Sequence, residues 1–300
     1  MEIFFQQLIN GLTIGSIYAL VALGYTMVYG VMKLINFAHG DLVALSAYIG
    51  LVIMMQLTGA SIPNYIVIPA VFIITAIVIA IIGVILERIA YRPLRHAPRL
   101  SAVVSALGAG MVIQNGIMLI WGPRPKIYPS DVVPAVYWNI GGVSIGLMQL
   151  IILVLSLILM VVLYIFVNKT KIGTAIRASA IDQLAAKLMG IDVNKIIVMI
   201  FVIGSSLGSV GGLFIGMYYK GIYFNMGWIY GLNAFVAAII GGIGNIPGAM
   251  LGGMLLGLFN AFIAGYVSTT WADAFTYILL IIILIFRPTG ILGERVAEKV

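Results

Sequence analysis

Long apolar runs separated by short polar segments dominate the chain. Runs of about 20 apolar residues predict helices that cross the hydrocarbon core of a bilayer, where a helix satisfies its own backbone N–H and C=O groups. The continuous runs predict spans at Leu8–Tyr29, Ile66–Leu86, Ser101–Trp121, Leu147–Val167, Ile196–Tyr218 and Phe275–Phe286 with its flanks. We therefore expect an all-α polytopic transmembrane helical bundle, with residues 1–300 forming a single transmembrane domain of eight or nine spans.

Two further apolar regions are interrupted. In the first, the polar segment Lys33–Asp41 precedes Leu42–Leu57, a run that is short for a full crossing. The segment is either a polar turn at the membrane surface or a break inside the membrane. In the second, the glycine cluster Gly241–Gly244 separates Leu232–Ile240 from Ala249–Ala264. Interrupted spans in both halves of a chain are typical of transporters whose substrate path lies at the breaks.

The polar residues in or beside the two breaks are the candidates for a substrate path. They are Asn36, His39, Asp41, Asn233 and Asn245. Each could instead cap a helix or pack against one. His39 beside Asp41 could also form a proton relay, because ionisable residues inside a membrane commonly mark such a path.

Charge is scarce and clustered. Charged residues make up 8% of the chain, the formal net charge is +7, and the mean hydropathy is +1.18. The basic groups Arg88–Arg99, Lys169–Lys195 and Arg287–Lys299 mark the cytoplasmic side by the positive-inside rule. Nine spans with an external N-terminus fit this pattern best. The excess charge therefore indicates topology in a multi-pass plasma-membrane protein, with lipid as its surroundings and no nucleic acid as a partner.

The segment 122–146 is the largest predicted external loop. It is rich in proline, which breaks helices, and in aromatic residues, which settle at the membrane interface. We interpret it either as a docking surface for an outside partner or as an inert connector.

Four glycines recur at intervals of four within one predicted span. They are Gly204, Gly208, Gly212 and Gly216. This spacing leaves one helix face without side chains, which favours a very close contact with a neighbouring helix.

The segment Lys169–Lys195 is the longest charge-rich part of the chain and is predicted to be a cytoplasmic loop carrying one short helix. Ser179 and Asp182 fit a capping box, so we expect the helix to begin near Ala180. Gly190, which can adopt a positive φ, would end it. An apolar stripe at helical spacing comprises Ile181, Leu184, Ala185 and Leu188. These apolar side chains need another surface to pack against.

Several kinds of chemistry are missing from the sequence. It contains no cysteine, no GxxxxGK[ST] phosphate loop, no HExxH zinc motif and no GxSxG elbow. We therefore expect no catalytic residues, no metal site and no cofactor in this chain.

Three sequence blocks resemble the membrane permease subunits of branched-chain amino acid ABC importers. They are GLTIGSIYALVALGYTMVYGVMKLINFAHGDL at Gly11–Leu42, GTAIRASAIDQLAAKLMGI at Gly173–Ile191, and AAIIGGIGNIPGAMLGGMLLG at Ala237–Gly257. The resemblance extends over essentially the whole chain, and the blocks occur in the expected order and spacing.

The resemblance implies a division of labour. A permease of this kind works with a second, homologous permease, two ATPase subunits that bind the ATP, and a soluble substrate-binding protein outside the bacterial inner membrane. The binding protein would deliver leucine, isoleucine, valine or a related amino acid. Two alternatives are a self-sufficient ion-coupled secondary transporter and an ABC permease for another small solute such as urea or amides.

The resemblance also assigns the short cytoplasmic helix to coupling with an ATPase. Importers of the wider class often carry Glu-Ala-Ala, three residues and then Gly at this place. Ala185, Ala186 and Gly190 match that pattern, whereas Leu184 stands where the Glu would be. We therefore expect docking by apolar packing rather than by a charged contact. The residues assigned to coupling are Ser179, Asp182, Leu184, Ala185, Ala186, Leu188 and Gly190.

Overall fold

The computed structural model describes residues 1–60, 62–95, 97–129, 132–133 and 136–293, without the side chain of Arg99. These residues form helices and four short strands. The helices are α1 (Glu2–Met32), α2 (His39–Gly59), α3 (Asn64–Leu86), α4 (Arg99–Trp121), α5 (Leu147–Lys169), α6 (Lys171–Ile181), α7 (Gln183–Leu188), α8 (Val193–Tyr219), α9 (Met226–Gly241), α10 (Ile246–Tyr266) and α11 (Ala272–Phe286). The strands are β1 (Lys126–Ile127), β2 (Tyr137–Ile140), β3 (Val143–Gly146) and β4 (Gly221–Ile222).

Seven of the described helices are long and apolar enough to cross a membrane, and two shorter apolar helices, α9 and α11, accompany them. This total agrees with the predicted eight or nine spans. α4 and α5 are largely exposed, and their outward residues are apolar, as expected of helices that contact lipid.

The basic residues lie mainly at one end of the bundle. The end of α3, the segment between α5 and α8, and Arg287 after α11 meet there. We call this the basic end, and the positive-inside rule places it in the cytoplasm. Residues 294–300 of the third predicted basic group lie outside the described residues.

α1 is the central helix, and almost all of its length is buried. Its 31 residues span about 46 Å. Small residues set its contact with α10: a Cβ atom added at Gly11 would lie 2.8 Å from the Leu258 Cα atom, and one at Gly15 would lie 2.8 Å from the Met254 Cα atom. The two backbones therefore touch along a ridge that tolerates no larger side chain.

The glycines of α8 line a continuous contact. Gly204 lies against Gly24 of α1, with an added Cβ atom 3.2 Å from the Gly24 oxygen. Gly208 faces the ring of His39, and Gly212 faces the first turns of α2. Gly216 lies against the ring of Tyr128, outside the helices. The four glycines therefore contact α1, then α2, and finally Tyr128.

The link between α1 and α2 lies inside the bundle, which agrees with a break inside the membrane and not with a turn at the surface, because Asn36 is buried and His39 contacts Gly24. α2 begins at His39 and has 21 residues, so it is long enough to cross, and the shortness inferred for Leu42–Leu57 was wrong. Gly24 lies about 12 Å before the end of α1 by helical rise. The chain therefore turns back into the bundle before α2 begins.

The second interrupted region is a tight turn between α9 and α10. Gly242 and Gly244 have φ angles of 108° and 96°, which side-chain-bearing residues rarely adopt. The side chain of Asn245 caps α10 by accepting a hydrogen bond from the Gly248 N–H at 3.0 Å. α10 has 21 residues, so only the first of the two predicted halves is a short helix.

The predicted external loop contains strands, which the all-α expectation did not include. β2 and β3 pair as an antiparallel hairpin, and β1 pairs with β4 after α8. The hairpin turn is Gly141-Gly142, with φ angles of 58° and 81°. Positive φ angles at both central residues are typical of a type I′ turn, whose backbone twist is compatible with the right-handed twist of the two strands. Gln6 of α1 secures the hairpin through two hydrogen bonds with Ser144.

The cytoplasmic segment contains two helices instead of the predicted one. Thr170 caps α6 by accepting a hydrogen bond from the Gly173 N–H, so the helix starts at Lys171, nine residues before the predicted Ala180. Ser179 lies buried inside α6, and the capping box assigned to it was wrong. Asp182 adopts an extended conformation that ends α6 and begins α7.

Candidate functional site

The short helix α7 at the basic end is held in place by caps at both ends. The Asp182 carboxylate accepts hydrogen bonds from the Leu184 and Ala185 N–H groups at 2.8 and 3.0 Å. After the helix, Gly190 has a φ of 85°, and the Ile191 N–H donates to the Ala186 carbonyl. This is a Schellman motif, so the predicted ending at Gly190 is confirmed. Caps matter here because six residues are too few for a self-sustaining helix.

The outward face of α7 is strongly apolar. The exposed fractions of Leu184, Leu188 and Met189 are 70%, 81% and 83%, and that of Ile181 just before the helix is 88%. We call Ile181, Leu184, Leu188 and Met189 the α7 apolar face. Four exposed apolar side chains at a polar, cytoplasmic end of the bundle indicate a surface that another protein covers.

The two alanines of the predicted coupling motif point in different directions. Ala185 is exposed beside the α7 apolar face, whereas Ala186 is 4% exposed and belongs to the core. Gln183 also faces inward, and its side-chain Nε2 donates to the Val31 carbonyl at the end of α1, at 2.8 Å. α7 is therefore seated on the bundle by Ala186 and Gln183.

A polar network missed by sequence analysis surrounds this seat. Glu87 is fully buried and pairs with Arg95, whose other guanidinium nitrogen donates to Asn194 of α8 at 2.5 Å. The Tyr91 hydroxyl donates to the Asn36 side chain at 2.9 Å. A buried carboxylate requires such pairing. The network ties the α1–α2 link and α8 to the π-helical turn Glu87–Tyr91.

A cavity of about 320 Å³ opens beside this network at the basic end. Its lining is rich in cationic and amide side chains, among them Arg92, Arg95, Gln183, Lys187 and Asn194. Just before the lining residue Val193, the Asp192 carboxylate caps α8, and the hydrogen bond from the Lys195 backbone N–H is the main cause of the lowered pKa of Asp192. Asp192 thus stays charged and keeps this cap at neutral pH.

His39 serves as a packing residue in the structure. Its ring is 1% exposed and lies edge-on to the ring of Tyr25, with 4.8 Å between centroids. A side chain at either Gly24 or Gly208 would collide with it. The proton-relay hypothesis needs contact with Asp41 or water. The described contacts of the His39 ring are with Tyr25, with the helices at Gly24 and Gly208, and with the Val21 backbone through a hydrogen bond.

Asp41, in the first turn of α2, lies where α2 meets α9. Gly40 contacts Gly227 and Gly231 so closely that a Cβ atom on any of the three would collide with backbone. This contact leaves a small cavity beside Asp41. Its lining residues are Tyr25, Phe37, Asp41, Gly227, Trp228, Gly231, Leu232 and Phe235.

The remaining candidate residues lie elsewhere. Asn233 is buried on another face of α9, where its Nδ2 is 3.3 Å from the Tyr18 hydroxyl and 3.4 Å from Asp273 Oδ1. Asn245 caps α10 and donates to the Leu292 carbonyl at 2.9 Å. The structure therefore brings Asn36, His39 and Asp41 to one region and separates Asn233 and Asn245 from it.

The aromatic lining beside Asp41 carried no signal in the sequence. Its members come from α1, the α1–α2 link and α9, so that about 200 residues separate the first from the last. In an apolar chain, isolated aromatic residues are expected in any span, and only the contact of α2 with α9 groups them.

The fold is similar to that of a chain in an ABC transporter of known structure. The chain superposes on an inward-facing structure of an ABC transporter described as of the metal-chelate type, with a TM-score of 0.52 and 14% sequence identity, over 94% of this chain and 85% of that one. At this identity the likeness shows the fold alone. The family model described as "Branched-chain amino acid transport system / permease component" matches residues 7–284. The chain belongs to this family of membrane permease components.

Curated relatives match along almost the full length. The high-affinity branched-chain amino acid transport system permease protein BraD of Pseudomonas aeruginosa is 42% identical, over 99% of this chain and 98% of its own. The corresponding LivH protein of Escherichia coli K12 is 40% identical over the same shares. A probable branched-chain amino acid permease of Methanocaldococcus jannaschii is 28% identical. The similarity thus includes both the α7 region and the α2–α9 contact.

Proposed function

We propose that this chain is one of the two permease subunits of an ATP-driven importer for branched-chain amino acids in a bacterial inner membrane. The observation that carries the proposal is the α7 apolar face, which is exposed at the cytoplasmic end of a chain that has no phosphate loop of its own. The names of the relatives at 42% and 40% identity support the substrate class.

The importer would contain a second, homologous permease, two ATPase subunits and a soluble binding protein. ATP would bind to the ATPase subunits, and we expect no cofactor in this chain. The hairpin β2–β3 and the paired strands β1 and β4 lie at the end opposite to the basic one, where a binding protein would deliver its amino acid.

Motion of an ATPase would enter the permease through α7. Because Gln183 bonds directly to Val31, a displacement of α7 pulls on the end of α1. The α1–α2 link follows, and Tyr91 holds it to the π-helical turn through Asn36. α2, whose first turn carries Asp41, continues from that link. These contacts form a continuous route from the cytoplasmic surface to the α2–α9 contact.

Substitution on the α7 apolar face tests this proposal. In an importer reconstituted in liposomes, Leu188→Glu should abolish substrate-stimulated ATP hydrolysis and uptake, because a charge would be buried in the docking interface. Leu188→Met keeps the apolar surface and should remain near wild type. Since Leu188 is 81% exposed, the fold of the chain should tolerate both variants.

Two results would contradict the proposal. One is a Leu188→Glu importer that couples ATP hydrolysis to uptake normally. The other is uptake by this chain alone, driven by a proton gradient without ATP. Competition of leucine uptake by valine, alanine, amides and urea then determines the substrate range of the importer.

A further inference from the structure

One acidic and four aromatic residues line the small cavity between the first turns of α2 and α9. They are Asp41, Tyr25, Phe37, Trp228 and Phe235. One carboxylate oxygen of Asp41, Oδ2, also lies against Gly110 of α4. The Phe235 ring lies at the centre of the group, with its centroid 5.7 Å from that of Tyr25 and 6.0 Å from that of Phe37. These three rings are tilted against each other rather than stacked, and Trp228 borders the same cavity from α9.

The carboxylate lacks a counter-charge. Among the described residues that line the cavity there is no lysine or arginine, and both ion pairs found in the described part of the chain involve other acids. Asp41 lies beside Tyr25, about 10 Å before the end of α1 and so inside the bundle. A carboxylate at such a depth is strongly unfavourable without a cation nearby.

The rings complete a site for a cation. The faces of tryptophan, tyrosine and phenylalanine attract a positive charge within about 6 Å, and the attraction is strongest where water is excluded. The cavity has a volume of about 40 Å³. A group the size of water needs roughly 10–15 Å³, so an ammonium group fits and a complete leucine does not. The rest of such a ligand would extend past Trp228, which is 60% exposed.

We propose that this cavity is the subsite for the primary ammonium group of the transported amino acid, with Asp41 as its counter-charge and the four rings as its walls. The close contact of Gly40 with Gly227 and Gly231 holds the backbone at Asp41 next to the backbone of α9 that carries Trp228. The identity of the ligand as an amino acid rests on the proposed importer function. Its chemistry as an ammonium group rests on the cavity itself.

Binding of two leucine fragments to the full chain in lipid nanodiscs tests the subsite. Isopentylammonium is leucine without its carboxylate, and 4-methylpentanoate is leucine without its amine. Isothermal titration calorimetry should show saturable binding of isopentylammonium and no competition by 4-methylpentanoate. Asp41→Asn should weaken the binding about tenfold or more, because it removes the counter-charge. Asp273→Asn, which changes another acid outside the cavity, should bind as wild type.

A second series does not depend on the folding of an Asp41 variant. Trp228 is 60% exposed, so its replacement should leave the fold intact. Trp228→Leu should weaken isopentylammonium binding by roughly two- to thirtyfold, and Trp228→Phe should keep part of the affinity, since only a ring face attracts the cation. Equal affinities for the leucine and phenylalanine variants would overturn the aromatic role.

The subsite and the importer function fail in different ways. If wild type binds no isopentylammonium, or if Asp41→Asn binds as well as wild type, the subsite proposal is wrong even when ATP-driven leucine uptake is normal. If isopentylammonium binds as expected but the reconstituted complex takes up no leucine with ATP, the importer function is wrong and the ammonium site stands.

Discussion

At the scale of single residues, glycine decides how closely the helices of this protein approach each other. The three glycines at the α2–α9 contact leave no space for a Cβ atom. Without them the two helices would separate, and the walls of the cavity beside Asp41 would no longer face one another. These small residues therefore act on the candidate ammonium site through the backbone.

Gly231→Val should lower the thermal stability of the chain. A Cβ atom at this position would lie 2.7 Å from the Gly40 Cα atom and 3.1 Å from the Tyr25 hydroxyl, so the backbone has to move. Overpacking of this kind costs about 1–3 kcal/mol. Thermal unfolding in detergent measures the effect. Gly116→Val is the matched control, because no atom lies within 4 Å of a Cβ atom added there. Equal melting temperatures of the two variants would contradict the prediction.

At the scale of elements, residues of the cytoplasmic segment have other structural roles than the sequence predicted. Asp182 was predicted to be the third residue of a helix whose N-cap is Ser179. In the structure Asp182 is itself an N-cap, that of α7. All four residues of the predicted stripe are exposed, and Ile181, Leu184 and Leu188 form the α7 apolar face together with Met189. The coupling roles assigned to these residues remain predictions.

Asp182→Ala should unfold α7 locally. The substitution removes two hydrogen bonds to backbone N–H groups and costs about 1 kcal/mol. A helix of six residues has little intrinsic stability to offset this loss. Hydrogen exchange of the amides of residues 183–190 should accelerate, while Asp182→Asn, which keeps an accepting oxygen, should exchange at nearly the wild-type rate. Protection that is unchanged in the alanine variant would show that the cap is dispensable.

At the scale of the whole molecule, the basic end and the α2–α9 contact are connected through α1. The Gln183–Val31 hydrogen bond joins α7 to α1, and α1 reaches both α8 and α10 along its buried length. A central helix held at its cytoplasmic end is suited to transmit a movement to the substrate path.

Gln183→Leu should uncouple ATP hydrolysis from uptake in the reconstituted importer. The variant keeps the α7 apolar face and so should still bind the ATPase, but it loses the donor to Val31. We expect the ratio of amino acid transported to ATP hydrolysed to fall severalfold. Lys187→Leu makes a comparable replacement on the exposed side of α7 and serves as the control. An unchanged ratio for Gln183→Leu would show that this hydrogen bond does not transmit the movement of the ATPase.

The sequence by itself determined the membrane class, the approximate number of spans, the basic end and the helix stop at Gly190. These features are local, because they depend on the length of apolar runs, the position of charges and the φ range of single glycines. The resemblance carried by the three sequence blocks also predicted the permease family, which the comparisons confirmed.

Only the tertiary structure decided which distant residues meet. The return of the α1–α2 link into the bundle, the hydrogen bond between Arg95 and Asn194, and the rings around Asp41 all depend on packing between segments far apart in the chain. In a chain that is 63% hydrophobic, most span positions satisfy the membrane equally well. The apolar pattern therefore cannot show which face of a helix meets which neighbour, and the contacts of glycine with backbone make that choice.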